Sequence, residues 1–188
     1  SNAGGANNGT SWTNAYTDLQ SALSASFFGD EIWVAAGTYK PTTDTDRTVS
    51  FVLKNGVAVY GGFAGTETLR TQRNSAANVT TLSGEIGAAG IADNSYHVVE
   101  GSDIDNTSVL DGFSITAGNG KDVPFQDPWG GGMRVFLGSP TLSNLIFTSN
   151  TASAGGGIVL DNSNSILTDV TFNGNSTSFG GGGGMLVV

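Results

Sequence analysis

The chain has 188 residues and no cysteine, which excludes disulfide staples and thiol chemistry. Sixteen Asp and Glu against seven Lys and Arg leave a net charge of −9. Such a surface repels phosphate backbones and acidic polysaccharides, so nucleic acid is not an expected partner. No apolar run approaches the roughly 20 residues a membrane-crossing helix needs, so this segment is not expected to insert into a bilayer.

Ser1-Asn2-Ala3 reads as an expression scar and leaves 4–188 as a single domain, without a break in composition. Twenty-nine glycines could signal disorder, but the apolar residues recur too regularly for that. The first predicted element is a helix over about 12–25. Trp12, Ala15, Tyr16, Leu19, Ala22 and Leu23 share one face, with Ser11 or Thr13 placed to cap its start.

From about residue 30 the pattern changes to short runs that alternate apolar with polar, bounded by turn formers, as in strands with one buried face. Ile32, Val34 and Gly37 match Val57, Val59 and Gly62 at a spacing of 25. Extended along the chain, the match gives an apolar column of Val34, Val59, Leu82, Leu110, Leu142 and Leu167. Asn55-Gly56 has hairpin composition, but the same match makes it a tight corner.

The clearest repeat is C-terminal. Gly130-Gly131-Gly132-Met133, Leu142, Leu145, Phe147 and Asn150 return 25 residues later as Gly155-Gly156-Gly157-Ile158, Leu167, Val170, Phe172 and Asn175, and a third copy opens at Gly182. A fixed period of this size marks a stacked array in which each unit completes its core only against its neighbours. The predicted fold is all-β: a right-handed parallel β-helix of about six rungs over 30–188, with the helix capping its N-terminal end. Asn150 and Asn175 read as a hydrogen-bonded ladder along the stack. The chain stops inside a rung, at Met185–Val188, so a C-terminal truncation is expected, with an uncapped edge open to end-to-end self-association.

Several stretches resemble known families. Trp12-Thr-Asn-Ala-Tyr16, Leu19–Leu23 and Gly29–Tyr39 resemble the entry of bacterial right-handed parallel β-helix proteins of the pectate-lyase-like superfamily. Val59–Thr68, Arg73-Asn74, Thr81–Gly84 and Asp93–Val99 are similar to large bacterial surface proteins. Phe147–Asn150 and Phe172–Asn175, alternating with Gly-Gly-Gly-Ile, are similar to the repeats of chlamydial polymorphic outer-membrane proteins. The resemblance implies the same fold and an extracellular or cell-surface location.

Polysaccharide lyases on such a fold use clustered carboxylates that hold calcium, together with an Arg or Lys base. Asp111, Asp161, Asp169 and Arg134 are the residue types available here, but no acidic pair repeats on adjacent rungs, and they read as isolated solvent-facing charges. Asp103 and Asp105 have the oxygen ligands and spacing that calcium favours, as do Asp44 and Asp46, although Asx-rich turns have the same composition. Calcium is the only cofactor the sequence suggests. His97 reads as a packed histidine. The segment 121–129 supplies Phe125, Asp127 and Trp129 as candidate ligand-binding residues, the rings to stack on a sugar and the carboxylate to bind its hydroxyls; the equal alternative is that Phe125 and Trp129 fold back to cover a flank of the coil. Four Asn-x-Ser/Thr matches carry little weight in so Asn-, Ser- and Thr-rich a chain. The expected function is non-enzymatic: a stalk or adhesin-like module of a larger bacterial surface or secreted protein, touching extracellular or cell-surface glycans. The alternative is a polysaccharide lyase or glycoside hydrolase.

Overall fold

The computed structural model describes residues 3–121 and 128–188. One helix, α1 (Leu19–Ala25), precedes the strands. Asp18 ends the chain's extended approach and caps α1, its side chain accepting the Ser21 N–H at 2.7 Å. The helix is therefore shorter than the expected 12–25. Trp12 is withdrawn from the helical face by its packing against Trp33 and Phe63. At the other end, the Lys54 ammonium donates to the Leu23, Ser24 and Ser26 carbonyls, satisfying acceptors that a helix terminus leaves open.

The strands follow in five passes of the chain. The first carries β1 (Glu31–Ala35), β2 (Gly37–Tyr39) and β3 (Phe51–Val52). The second carries β4 (Ala58–Phe63), β5 (Thr80–Ser83) and β6 (Val99–Glu100). The third carries β7 (Val109–Asp111), β8 (Phe113–Thr116), β9 (Asn119–Gly120) and β10 (Met133–Phe136). The fourth carries β11 (Thr141–Thr148), β12 (Thr151–Ala152) and β13 (Ile158–Asp161). The fifth carries β14 (Ile166–Asn173), β15 (Ser176–Thr177) and β16 (Met185–Val187). The fold is β-rich with parallel pairing throughout these strands, which form an eight-, a five- and a three-stranded sheet.

Inward side chains of successive passes meet across each pair. In the largest sheet Ile32 lies beside Val59, Val59 beside Leu110, Leu110 beside Leu142, and Leu142 beside Leu167. A second column runs Tyr39, Leu82, Ile115, Phe147, Phe172. The expected column mixed the two. Leu82 does not follow Val59; it shares Val59's own pass, and Ile32 rather than Val34 is Val59's neighbour. Gly61 and Gly62 lie where the β1–β4 register slips, and residues 64–79 leave the sheet before β5 resumes it. One pass of 51 residues therefore looked like two of ordinary length, and the stack has five levels among the described residues instead of about six.

The C-terminal register follows the repeat: Met133 pairs with Ile158 and Ile158 with Met185. Its glycines are required by close approach, since a Cβ on Gly132 would meet the Gly157 carbonyl 2.5 Å away. Asn55-Gly56 forms a corner, because β3 and β4 belong to different sheets and the Val57 N–H bonds back to the Lys54 carbonyl. The Asn ladder is present. Asn150 Nδ2 donates to Asn175 Oδ1 at 3.0 Å and to the Ile115 carbonyl at 2.9 Å, Asn150 Oδ1 accepts the Gly118 N–H, and Asn175 Nδ2 reaches the Phe147 carbonyl.

The core is the continuous row of buried Leu, Val, Ile and Phe side chains between the sheets, reaching from Leu19 and Leu23 of α1 through Phe51, Leu110 and Phe147 to Leu160. Leu167, Val170 and Phe172 of β14 pack on it only in part, since β14 pairs on one side alone.

Candidate functional site

Outward positions of the largest sheet build the site. Trp33 pairs with Tyr60, and Tyr60 with Asp111, so alternation places these three in a row on the outer face. Phe63 also leaves the main core. It is fully buried beneath two indoles, stacked with Trp33 at 4.8 Å between centroids and tilted against Trp12 at 5.5 Å. Both indoles are fixed by their N–H groups: Trp12 donates to the Glu67 carbonyl and Trp33 to the Glu31 carboxylate, each at 2.9 Å.

Glu67 organises the loop that holds Trp12. Its carboxylate accepts the N–H groups of Ala64, Gly65 and Thr66 at 2.7–3.0 Å. Partial desolvation opposes its ionisation, but these backbone donors outweigh it and hold the carboxyl below the ordinary glutamate range. Next to it, Gln72 accepts the Thr68 and Leu69 N–H groups.

Between these residues and the N-terminal segment lies a cleft of about 750 Å³. Its aromatic lining comprises Trp12, Tyr16, Trp33 and Tyr39, and its apolar floor is set by Ile32, Val34 and α1. Asn8, Thr10, Ser11 and Thr68 bring neutral polar groups to it, while Asp18, Asp30, Glu31 and Glu67 bring carboxylates. Burial raises the Tyr39 phenol, which donates to the Ala35 carbonyl at 3.0 Å, so it remains a neutral donor near pH 7.

Along the same face, Arg70 pairs with Glu31 and donates to the Tyr60 hydroxyl at 3.0 Å. Arg73 pairs with Asp111 at 2.8 Å and donates to the Gly61 carbonyl at 3.0 Å, and both guanidinium groups lie over the Tyr60 ring. Burial raises the Tyr60 phenol, and the flanking charges act on it in both directions. Two acids and two guanidinium groups thus converge about one tyrosine, each acid matched to one arginine. Tyr60 is held protonated there, so it is suited to donate a hydrogen bond rather than to act as a base.

Of the residues expected from sequence, those described lie elsewhere. Trp129 forms a parallel bridge to Ala154 on the side of the smallest sheet, while Phe125 and Asp127 fall outside the described residues. Asp103 and Asp105 sit in a corner. Asp105 is occupied by the Thr107 N–H and hydroxyl, which lower its pKa, and its own N–H donates to Asn55. Asp103 has φ 54°, the left-handed conformation also taken by Leu137 after the next pass and Asn162 after the one beyond, so that corner selects a backbone shape. Asp46 is likewise engaged by Thr48, and Asp169 by a left-handed kink within β14. Among the described residues, no three His, Cys, Asp or Glu are grouped to hold a metal ion. His97 Nδ1 lies 2.9 Å from the Gly130 carbonyl, and Arg134 pairs with Glu100.

Sequence reading missed Trp12, Trp33, Tyr60 and Glu67 as a group. The available signal was a tryptophan in a solvent-facing strand slot of Glu31-Ile32-Trp33-Val34, where turn-and-spacer composition would place a small polar residue. Comparison with protein-family models, with curated proteins and with solved structures finds no match.

Proposed function

We propose that this chain is a non-enzymatic, right-handed parallel β-helix module of a larger bacterial surface or secreted protein, a rigid scaffold that contacts glycans through the cleft at its N-terminal end. The observation that carries the glycan reading is the cleft: aromatic rings bearing fixed hydrogen bonds, beside hydroxyl, amide and carboxylate groups, at a size suited to a small ligand. Support for the coil comes from parallel pairing shared among three sheets by successive passes, since parallel connections are right-handed in about 98% of cases. Support for a capping role of α1 comes from Leu19 and Leu23, both 4% exposed and packed into the end of the core beside Val34 and Phe51. End-to-end association through the β14–β16 edge belongs to the same reading, as does an extracellular or cell-surface setting.

The test is a glycan array with and without calcium, probed with the native protein and Trp33→Ala, followed by product analysis of any bound polysaccharide. Retention without new reducing ends or unsaturated sugars, lost in Trp33→Ala, is the expected result. Cleavage products overturn the non-enzymatic reading. One observation favours the second reading, a polysaccharide lyase or glycoside hydrolase: the Arg70–Tyr60–Arg73 cluster between Glu31 and Asp111. On that reading Tyr60→Phe abolishes turnover and leaves binding intact.

A further inference from the structure

We infer that the glycan taken by the N-terminal cleft is a cationic amino sugar, an oligosaccharide bearing free amines in place of N-acetyl or carboxylate groups. This rests on the glycan reading above and adds the charge of the ligand. Among the described residues, the cleft is lined by four carboxylates and by no Lys, Arg or His. Of the four, Glu31 is neutralised by Arg70. The other ion pairs among the described residues join Arg73 to Asp111 and Arg134 to Glu100, away from the lining, so Asp18, Asp30 and Glu67 keep their charge uncompensated by a cation.

These three are also fixed in place. Asp18 is held by the Ser21 N–H and hydroxyl, Asp30 by the Phe27 N–H at 2.8 Å, and Glu67 by its three backbone donors. Bonds of this kind orient a carboxylate while leaving its net charge to act on a ligand. A uronic acid would be repelled, and a neutral sugar would leave the field unused. A sugar ammonium is attracted to the carboxylates and to the faces of Trp12 and Trp33 through their ring quadrupoles, while its ring stacks on the same indoles. The neutral polar lining at Thr10, Ser11 and Thr68 suits hydroxyls, which a simple alkylammonium lacks.

The test is titration of the whole protein, followed by tryptophan emission, with glucosamine oligomers and with N-acetylglucosamine oligomers of equal length. It is run in dilute buffer at pH about 6, where carboxylates are ionised. The amine series is expected to bind roughly tenfold tighter, an advantage that molar salt largely removes by screening. The doubly substituted Asp30→Asn, Glu67→Gln protein, its fold checked by circular dichroism, is expected to bind the amine series no tighter than the N-acetyl series. Equal affinity for the two series, or a preference for the N-acetyl series, overturns the inference and leaves the glycan reading standing. Tetramethylammonium binding as tightly as the amine oligomers overturns the sugar assignment. Silence from both series, with a blank glycan array, overturns the glycan reading and this inference together.

Discussion

At single positions, the corners of the stack are set by backbone conformation more than by chemistry. Positive φ recurs in register at Asp103, Leu137 and Asn162, at Ala117, Ser149 and Gly174, and at Gly112, Asn144 and Asp169. Gly, Asn and Asp enter this region at little cost, whereas a residue such as leucine meets its own carbonyl there, at about 1 kcal/mol or more. Leu137 is 55% exposed and gains little from burial, so Leu137→Asn should stabilise the fold by about 1 kcal/mol in a denaturant titration. Asn150, 1% exposed, is the opposite case. Its amide serves Gly118, Ile115 and Asn175, and Asn150→Ala should cost about 2–3 kcal/mol by stranding buried partners. That ladder was legible because two asparagines recur at the repeat period after a core phenylalanine. The corners at Ala117 and Leu137 were not, because nothing in an alanine or leucine announces a left-handed backbone. Asp103 stayed open between two readings for the matching reason, since aspartate is at home both at a metal and at a turn.

Among the elements, strand identity was readable from alternation, but register was not. Period-two patterning tells which residues face inward, and it cannot tell whether two similar strands lie in adjacent passes or in the same one. Val59 and Leu82 fall in the same pass, and the 64–79 excursion between them supplied a spurious repeat. The same excursion carries Glu67, Thr68, Arg70 and Arg73 of the candidate site, so misplacing it concealed the site as well. Trp12 faced the helix in a purely local reading; its actual partners, Phe63 and the Glu67 carbonyl, lie more than 50 residues away in sequence and only the folded register brings them near. This contact gives the loop a pH signature. The Glu67 pKa is lowered on folding, so its contribution is present above the unfolded value of about 4.3 and is lost as pH falls through the lower folded value. Tryptophan emission should therefore report release of Trp12 only below the ordinary glutamate range, and Glu67→Gln should remove that step. Persistence of the step in the variant would assign it to another carboxylate.

Over the whole molecule, the two ends of the stack differ. α1 packs Leu19 and Leu23 into the core beside β1 and β3, next to the acidic aromatic cleft, whereas β14, β15 and β16 each pair on one side only among the described residues. Unpaired parallel edges recruit further strands. Sedimentation should accordingly show concentration-dependent association, reduced by Val170→Lys, which places a charge on the inward row of the last pass. A monomer at all concentrations would remove end-to-end contact from the proposed function. The repeat made the parallel pairing of successive passes legible, while the number of passes and the position of the cleft depended on where one 51-residue pass was divided. The central claim is that the chain climbs in these five passes, with Ala58 beside Val109. Absence of native cysteine makes the deciding measurement clean: two double variants, Ala58→Cys with Val109→Cys and Ala58→Cys with Thr81→Cys, oxidised and assayed for crosslinking. Parallel neighbours about 4.8 Å apart fall within disulfide reach. A crosslink is expected in the 58–109 pair and none in the 58–81 pair; the reverse would overturn the five-pass register and the site built on it.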